Sequence, residues 1–511
     1  MSWSLLPEPL LYTVFSLLPT RQVVVAGQVC RRWAGVAGDS LLWRRLLARD
    51  YRLQVSRLGG PGRCWKEEYR KLADDTPSVL SEQLTTHSDE VLHVTFSNSG
   101  KLFVTCSKDG LIIVHSMDRR GLVSVRLMKD MREHGWQFTW ASKFNASDSL
   151  LLVAGVINEI NGQIAVFDSS RATGDFRLIC KLENNPYDVM GAWCDETTWL
   201  SGSLTEEEPD QFMLPFQNMD ATIHFCRTEP AHPEEPQHWV GADETYKNVA
   251  LRFKNQVNDG SNYLRCILVN NRTSFHADQA FSSYMELVNS AVKGTERQVV
   301  SQAADSACLE LLQRNSLCLI FLCSGRTSIP HQIGFKKLYP EDLSDYPVIS
   351  EPDHVIDMLG HVVGIAQDRA GKYLFVNVRR WPDGAVVSQH TPPCISDDIE
   401  LRVVDLASLT LTHTVYRGHK GFTDSLGAFY IYLDTSEVLV GSGSEDGAAR
   451  VWSRELGCLA ATNRHEACVN CVAFSPTDPH MMVSVSDDYS VKVWMSKSRA
   501  RSRVRANQNL L

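Results

Sequence analysis

Short apolar runs, each closed by a turn of small and acidic residues, recur along most of the chain. Two segments, Gly441–Trp452 and Val483–Trp494, repeat one pattern at a spacing of 42 residues. In each, small strand residues lead to a tight turn that carries Asp446 or Asp488, and an alternating strand then ends on tryptophan. Such a unit cannot bury its faces alone, so units of this kind must stack. The pattern predicts a mainly β protein whose sheets close into a β-propeller.

Strand patterns continue upstream, although the repeated signature fades. They fall in the segments 91–115, 149–168, 190–225 and 361–406. The second of these ends in Phe167-Asp168 where the clear repeats end in tryptophan. Several blades are therefore degenerate, and the strand count predicts seven or eight blades, with seven preferred.

Residues 275–350 interrupt this rhythm. Val299, Ala303, Ala307 and Leu311 form an apolar stripe at helical spacing, which is the wrong period for a blade. We predict a loop and helix insertion. The favoured interpretation is that its stripe packs against the outside of the ring, and the alternative is that it contacts a substrate.

Residues 3–50 have a helical pattern instead. Proline stands at a helix start in Leu5-Leu6-Pro7-Glu8, and apolar residues then recur at helical spacing as far as Leu18. Further apolar groups surround Val24, Trp33 and Trp43, so we predict three short helices. Fewer than fifty residues cannot bury a complete core, and a partner is expected to cover the exposed apolar side.

Two further segments complete the predicted organisation, in which the propeller occupies residues 85–496. Residues 51–84 are predicted to be a linker with a short helix near Trp65, and a flexible tether is the alternative. Residues 497–511 form a basic tail with arginine at positions 499, 501, 503 and 505. A disordered end is the favoured interpretation of this tail, and an acidic partner or a nuclear signal is the alternative.

Composition narrows the function classes. The chain has 511 residues, a net charge of -9 and an isoelectric point near 6.0, which disfavours nucleic-acid binding as its main role. No apolar run is long enough to cross a bilayer, and no signal pattern opens the sequence. We therefore expect a cytoplasmic location, with a nuclear one as a further option. Cys468 and Cys471 form the one C-x-x-C pair, so neither a metal nor a cofactor is expected.

The N-terminal segment resembles an F-box. The resemblance rests on Leu6-Pro7-Glu8, Val29-Cys30-Arg31-Arg32-Trp33 and Leu42-Trp43-Arg44. It implies docking on a Skp-type adaptor that connects to a cullin and a RING subunit. The docking candidates implied by the motif are Leu5, Leu6, Pro7, Leu11, Phe15, Leu18, Trp33 and Trp43. The alternative is that some of them, above all the two tryptophans, only hold the helices together.

With Trp-Asp-type repeats behind this segment, the whole chain resembles the F-box/WD repeat-containing proteins. Phrases such as Pro186-Tyr187-Asp188-Val189 and Trp381-Pro382-Asp383-Gly384 support that resemblance. It implies a non-catalytic substrate receptor of a cullin-RING ubiquitin ligase, with relatives connected to centrosome duplication and growth signalling. The alternative is a WD-repeat scaffold without ligase activity.

The resemblance also implies a second ligase, in which cullin-4 and its DNA-damage-binding adaptor contact a Trp-Asp-x-Arg ending. Here the two blade endings read Trp452-Ser453-Arg454 and Trp494-Met495-Ser496-Lys497. Arg454 and Lys497 are the candidates for this contact. The alternative is that both are solvated charges after a strand.

The repeats also imply buried hydrogen-bonded tetrads. The WD-repeat family joins a histidine, a strand hydroxyl, a turn aspartate and a tryptophan. Here this gives His419, Ser442 or Ser444, Asp446 and Trp452, and again His465, Ser484 or Ser486, Asp488 and Trp494. A Ser-His-Asp catalytic triad is the alternative. Repetition at blade spacing favours a scaffold role.

Overall fold

A group of N-terminal helices and a ring of sheets make up the computed structural model of the chain. The model describes residues 6–54, 58, 62–118, 121–158, 161–169, 176–184, 191–194, 196–206, 219–227, 247–253, 267–270, 317–323, 329–338, 348–349, 352–386, 392–425 and 427–508. The helical stripe predicted over 299–312 lies outside these residues. The predicted insertion bounds of 275–350 were wrong, because the propeller strands Leu317–Cys323 and Gln332–Leu338 lie within them.

The N-terminal region contains four helices, so the prediction of three was wrong. They are α1 (Glu8–Leu17), α2 (Thr20–Ala26), α3 (Arg31–Gly38) and α4 (Ser40–Asp50). The first helix, α1, ends at Leu17. The next residue, Leu18, has an extended backbone because the following Pro19 disfavours helical geometry before it. Asp39 separates the last two helices, since its carboxylate accepts hydrogen bonds from the backbone N–H groups of Leu41 and Leu42.

The next segment carries α5 (Trp65–Arg70) and a π-helical turn (Lys71–Asp75), and a final helix, α6 (Lys497–Gln508), follows the ring. The helix expected near Trp65 is present.

Among the described residues, the strands form seven sheets, as the preferred blade count predicted. Blade 1 contains β2 (Val91–Phe96), β3 (Leu102–Ser107), β4 (Leu111–Met117) and β5 (Val123–Asp130). Blade 2 contains β6 (Phe138–Phe144), β7 (Leu150–Val156), β8 (Gly162–Asp168) and β9 (Arg177–Asn184). Blade 3 contains β10 (Ala192–Trp193), β11 (Thr198–Glu206), β12 (Met219–Arg227), β13 (Lys247–Phe253) and β17 (Val348–Ile349).

The remaining blades follow the same antiparallel plan. Blade 4 contains β14 (Ile267–Asn270), β15 (Leu317–Cys323), β16 (Gln332–Leu338) and β18 (His354–Asp357). Blade 5 contains β19 (Gly360–Gln367), β20 (Tyr373–Arg380), β21 (Asp398–Asp405) and β22 (Thr410–Lys420). Blade 6 contains β23 (Leu433–Thr435), β24 (Leu439–Ser442), β25 (Ala448–Ser453) and β26 (Leu459–Arg464). Blade 7 contains β27 (Val469–Phe474), β28 (Met481–Ser486), β29 (Val491–Ser496) and β1 (Pro77–Leu84).

Neighbouring blades stack through shared apolar clusters. Between blades 5 and 6, Phe375 and Tyr416 pack with Val440 and Trp452. Between blades 6 and 7, Val451 packs in one cluster with Phe474, Met482 and Trp494. At these two interfaces, the apolar face that a single sheet would expose to solvent is covered by the next sheet, as the sequence predicted.

The strand that closes the ring comes from the N-terminal side. β1 pairs antiparallel with β29, with Leu80 opposite Trp494 and Leu84 opposite Val491. The predicted limits of 51–84 for the linker and 85–496 for the propeller therefore need correction, because residues 77–84 belong to the propeller. The sequence Pro77–Leu84 has no regular alternation of apolar and polar residues, so it carried little local strand signal.

The tetrad predicted in blade 7 is formed. The ring of His465 lies 3.0 Å from Asp488 through Nδ1 and 2.7 Å from the Ser484 hydroxyl through Nε2. Trp494 Nε1 donates to the same hydroxyl at 2.7 Å. Although burial works the other way, hydrogen bonds from His465 and Ser490 hold the pKa of the Asp488 carboxyl well below its usual range.

Blade 1 contains a variant of this network. His87 lies 2.9 Å from Asp109 and 2.8 Å from the Thr105 hydroxyl. His115 occupies the position of the tryptophan, with its Nε2 3.2 Å from Thr105 Oγ1. The recurrence of the histidine and aspartate in two blades supports the scaffold interpretation over a catalytic triad.

The tetrad predicted in blade 6 is wrong. Asp446 forms an ion pair with Arg450, whose Nη1 and Nη2 lie 2.8 and 2.5 Å from its oxygens. An arginine offers two charge-assisted hydrogen bonds, which a neutral histidine cannot match. Blade 7 has Lys492 at the matching position. Its Nζ donates to the Arg464 carbonyl at 2.9 Å and lies 3.9 Å from the Asp488 carboxylate, beyond hydrogen-bond distance.

His419 is consequently left with one polar contact. Its Nε2 lies 3.1 Å from Asn377 Oδ1 of blade 5, and its Nδ1 has no partner. Ser442 accepts a hydrogen bond from Asn377, and Trp452 Nε1 donates to the Arg417 carbonyl. Burial lowers the pKa of His419 to about 3, so the side chain is neutral at physiological pH.

The two histidines form a matched pair for mutation. We expect His465→Phe to lower the free energy of unfolding by about 2–3 kcal/mol, because Ser484 and Asp488 both lose a buried partner. His419→Phe removes a single neutral contact and is expected to cost about 1 kcal/mol or less. Urea unfolding of the two variants checks this order. Equal losses would contradict it.

Candidate functional site

The α1 and α2 helices expose large apolar side chains to solvent. In α1 these are Leu10, Val14 and Leu17, which are 53%, 38% and 74% exposed and follow the i, i+4, i+7 spacing of one helix face. In α2 and just after it, Val24, Val25 and Val29 are 48–64% exposed. Six such side chains within twenty residues are more than a soluble surface normally carries together, and they indicate a docking site. We call these six residues the apolar face.

The predicted docking residues mostly lie beneath this surface. Leu11, Phe15 and Trp43 are almost fully buried in the core of the helices. Leu6, Leu18 and Trp33 are half-buried and pack against that core, Pro7 is exposed, and Leu5 lies outside the described residues. For the buried three, the alternative interpretation as core was the correct one.

The aromatic residues of the motif hold the helices together. Phe15 and Trp33 meet edge to face with ring centres 5.4 Å apart. Trp43 donates its Nε1 hydrogen to the Ala37 carbonyl at 2.7 Å and packs edge-on against Tyr69. Their packing fixes the orientation of α1, and so it turns the apolar face outwards.

The helices are attached to the ring at one edge of blade 6. Leu456 and Cys458, in the turn between β25 and β26, join the same apolar cluster as Leu47 of α4 and Trp65 of α5. Arg63 adds an ion pair to this junction, with Glu455 oxygens at 2.5 and 2.8 Å from its guanidinium nitrogens. We call the edge that carries this turn the attachment rim.

The opposite edge of blade 6 displays two exposed aromatic rings. Antiparallel strands place the β22–β23 and β24–β25 connections at the end of the sheet away from the attachment rim. The first of these connections carries Phe422 and Phe429, which are 60% and 51% exposed. Single exposed rings are ordinary, whereas two on one short connection indicate a contact surface. We call this edge the far rim.

The connection that carries Phe422 is held in place by a carboxylate. Glu445 accepts hydrogen bonds from the backbone N–H groups of Phe422 and Thr423 at 2.6 and 3.0 Å and from the Thr423 hydroxyl at 2.9 Å. Arg379, which is 1% exposed, lies 3.8 Å from the same carboxylate. The ring therefore presents Phe422 on a fixed backbone.

Carboxylates lie close together where the far rim continues into blades 7 and 1. Burial raises the pKa of the Cys468 thiol, and the charges of Asp487, Glu445, Glu90 and Asp446 raise it further. Three of these carboxylates have a cationic neighbour, since Glu90 pairs with Lys108, Asp446 with Arg450 and Glu445 with Arg379.

The two candidate contacts for a cullin-4 adaptor are engaged within the chain. Arg454 forms an ion pair with the buried Asp368 at 2.9 Å, donates to the Ser436 carbonyl and lies over the ring of Phe375. Lys497 donates to the Ala73 carbonyl at 3.0 Å. The description of both as solvated charges is therefore wrong.

The described residues provide neither a membrane-spanning helix nor a cluster of metal ligands. In the described part of the chain, no helix is both long enough and apolar enough to span a membrane. The same residues contain no group of three or more histidine, cysteine or carboxylate side chains placed to bind a metal ion.

Sequence reasoning missed the apolar face and both rings of the far rim. The i, i+4, i+7 spacing of Leu10, Val14 and Leu17 was a usable signal, but an equally apolar stripe runs beside it through Leu11, Phe15 and Leu18. Which stripe faces the core depends on where α4 packs, and the pattern does not contain that information. Phe422 and Phe429 lie in the β22–β23 connection, where no sequence motif distinguishes an exposed ring from a buried one.

Comparison with known proteins agrees with this architecture. A model of the F-box-like family matches residues 3–49, and a model of the WD domain, G-beta repeat, matches residues 78–116 and 456–495. The chain is 31% identical to F-box/WD repeat-containing protein 5 of Homo sapiens over 97% of this chain and 95% of that protein. The proteins of the same name from Rattus norvegicus and Mus musculus are 31% and 32% identical, each over 96% of this chain and 94% of the relative.

The division between core and surface in α1 can be tested directly. We expect Phe15→Ala to destabilise the helices by about 3–4 kcal/mol, because it opens a cavity among buried side chains. Leu17→Ala removes an exposed side chain and is expected to change stability by less than about 0.5 kcal/mol. Hydrogen exchange of the amides of α1–α4 measures both effects locally. Similar losses in the two variants would show that Leu17 belongs to the core.

Proposed function

The chain belongs to the F-box/WD repeat-containing protein 5 family, and from that premise we propose that it is the substrate-recognition subunit of a cullin-RING ubiquitin ligase. The observation that carries the proposal is the separation of two contact surfaces on one chain. The apolar face lies on the helices, the exposed rings lie on the far rim, and the attachment rim stands between them.

The apolar face is the proposed docking site for the Skp-type adaptor of the ligase. Its exposed leucine and valine side chains give an adaptor apolar area to bury, at roughly 25 cal/mol for each Å² removed from water. The buried aromatic core beneath them keeps α1 and α2 in place before the adaptor arrives. Binding then requires little ordering of the chain, which favours affinity.

The far rim is the proposed receptor for a protein target. Phe422 and Phe429 supply aromatic anchors, and aromatic side chains are enriched among the residues that dominate binding energy.

The proposed mechanism is one of proximity, without a catalytic group of the chain itself. The subunit holds a target lysine near a ubiquitin-conjugating enzyme and so raises the effective concentration of the two reactants. Ubiquitination then marks the target for proteasomal degradation. On the family resemblance alone, we extend the proposal to targets in centrosome duplication or growth signalling and to a cytoplasmic and nuclear location.

Two alternatives account for fewer of the observed features than this proposal does. A connection to cullin-4 through Arg454 and Lys497 would first have to break their bonds to Asp368 and Ala73. A scaffold without ligase activity would also use the far rim, but it gives no reason for six exposed apolar residues in α1, α2 and the turn that follows.

Disruption of the apolar face tests the adaptor contact. We expect the double variant Leu10→Asp, Leu17→Asp to bind the purified Skp-type adaptor at least about tenfold more weakly, since buried carboxylates at an apolar contact cost more than 1.4 kcal/mol. The control is Val125→Asp, which places the same charge on the exposed outer strand of blade 1. Titration calorimetry measures both affinities. Unchanged binding by the double variant would exclude this face as the docking site.

Removal of the two rings tests the target contact. In cells that lack the chain, we expect the double variant Phe422→Ala, Phe429→Ala to leave the ligase targets accumulated, while adaptor binding stays intact. Val438→Ala removes an exposed side chain on the attachment rim and serves as the control. Quantitative proteomics compares the two rescued cell lines. Normal target levels with the ring-less variant would place the receptor elsewhere.

A further inference from the structure

The α6 helix forms a strap between the ring and the segment that leads to the N-terminal helices. Lys497 Nζ donates to the Ala73 carbonyl at 3.0 Å, and the Ser498 hydroxyl donates to Asp75 Oδ1 at 2.7 Å. Arg501 lies 3.3 Å from the Asp74 carboxylate. These contacts join the last helix to the π-helical turn before β1, across more than 420 residues of sequence.

The same helix also holds the closing strand. Arg503 donates to the Ser81 hydroxyl at 2.7 Å, and its guanidinium lies 3.6 Å from Glu82. Arg499 lies 3.2 Å from Asp478 of the ring. The strap thus connects three parts of the molecule, namely the π-helical turn, the closing strand and blade 7.

The strap is held mainly by polar contacts. Among the described side chains of α6, Ala500 packs in an apolar cluster and Val504 is 56% exposed. An ion pair at the surface contributes about 0–1 kcal/mol to stability. The attachment therefore depends on several individually weak contacts, and a phosphate dianion placed among them would weaken more than one of them.

Ser502 is placed where a dianion would act on these contacts. It is exposed, and it lies one helical turn beyond Ser498 on the same helix face, with its hydroxyl donating to the Ser498 carbonyl at 3.0 Å. That face meets Asp74 and Asp75 of the π-helical turn. A phosphate there repels both carboxylates, and it competes with Asp74 for Arg501 and with Glu82 for Arg503.

The sequence around Ser502 also matches what basic-directed kinases select. Arg499 and Arg501 occupy the third and first positions before it, and Arg503 follows it. We propose that Ser502 is a phosphorylation site for a basic-directed serine kinase and that its phosphate releases α6 from the π-helical turn and the closing strand. In the transfer, the serine oxygen bonds to the γ-phosphorus of ATP, the bond to the β-phosphate oxygen breaks, and ADP and the hydroxyl proton leave.

This proposal stands apart from the proposed ligase role, because its readouts are phosphate incorporation and local opening. The folded full-length chain is incubated with ATP and the catalytic subunit of the cAMP-dependent kinase, and mass spectrometry locates the phosphate. Hydrogen exchange then follows residues 71–84 and 497–508. We expect phosphate on Ser502 and about tenfold faster exchange in both segments, with blades 1 to 6 unchanged.

Variants keep the test independent of the kinase. We expect Ser502→Glu to raise exchange in the same segments in part, and Ser408→Glu, on an exposed turn of blade 5, to leave them unchanged. Arg501→Ala, which removes the ion pair with Asp74, is expected to raise exchange in the same segments by less than the phosphate does, because one surface ion pair contributes only about 0–1 kcal/mol. Two results would overturn the proposal. One is that the folded chain takes no phosphate at Ser502. The other is that it takes phosphate there while hydrogen exchange in residues 71–84 stays unchanged.

Discussion

The pairing of β1 with β29 is the contact on which the rest of the molecule depends. It joins Pro77 to Ser496 and Leu84 to Val491, and thereby converts a row of stacked sheets into a ring. An open row would leave the outer faces of blades 1 and 7 without apolar partners, whereas closure buries Val91 and Val94 against Val483 and Val493. Because β1 arrives directly from the π-helical turn, the same pairing also fixes where the N-terminal helices leave the ring.

Ring closure also explains why only part of the fold could be predicted from the sequence. The period of 42 residues, the turn aspartates and the terminal tryptophans are local, so the propeller and its preferred seven blades follow from them. The strand at 77–84 pairs with residues more than 400 positions away, and its own eight residues carry no regular alternation of apolar and polar residues. Non-local pairing of this kind has no sequence period, and a linker was the natural but incorrect interpretation.

The two tetrads show how small local differences defeat an inference from repetition. Serine, aspartate and tryptophan recur 42 residues apart in blades 6 and 7, whereas the histidine lies 27 residues before Asp446 and 23 before Asp488, and only blade 7 assembles the tetrad. Arg450 stands in place of Lys492, its guanidinium takes both oxygens of Asp446, and His419 contacts Asn377 instead. The sequence contains Arg450, but the outcome depends on a competition between two partners in space, which a motif does not rank. The same holds for the helices, where packing of α4 decided which of two apolar stripes faces solvent.

A proximity mechanism requires that the two contact surfaces keep a fixed relation, and burial at the junction supplies most of that rigidity. The ion pair of Arg63 with Glu455 is half-exposed, so solvent screens it and its contribution is small. Cys458 and Trp65 are instead 4% and 2% exposed within one cluster that spans α4, α5 and blade 6. Deformation of that cluster would expose apolar area, and interiors at crystal-like density resist such changes. Within the described part of α6, Ala500 packs in an apolar cluster and the other contacts are polar, so the junction at blade 6 is the stiffer attachment and the strap at blade 7 is the weaker one. A change at the strap can therefore alter the path of the segment 71–84 without detaching the helices from the ring.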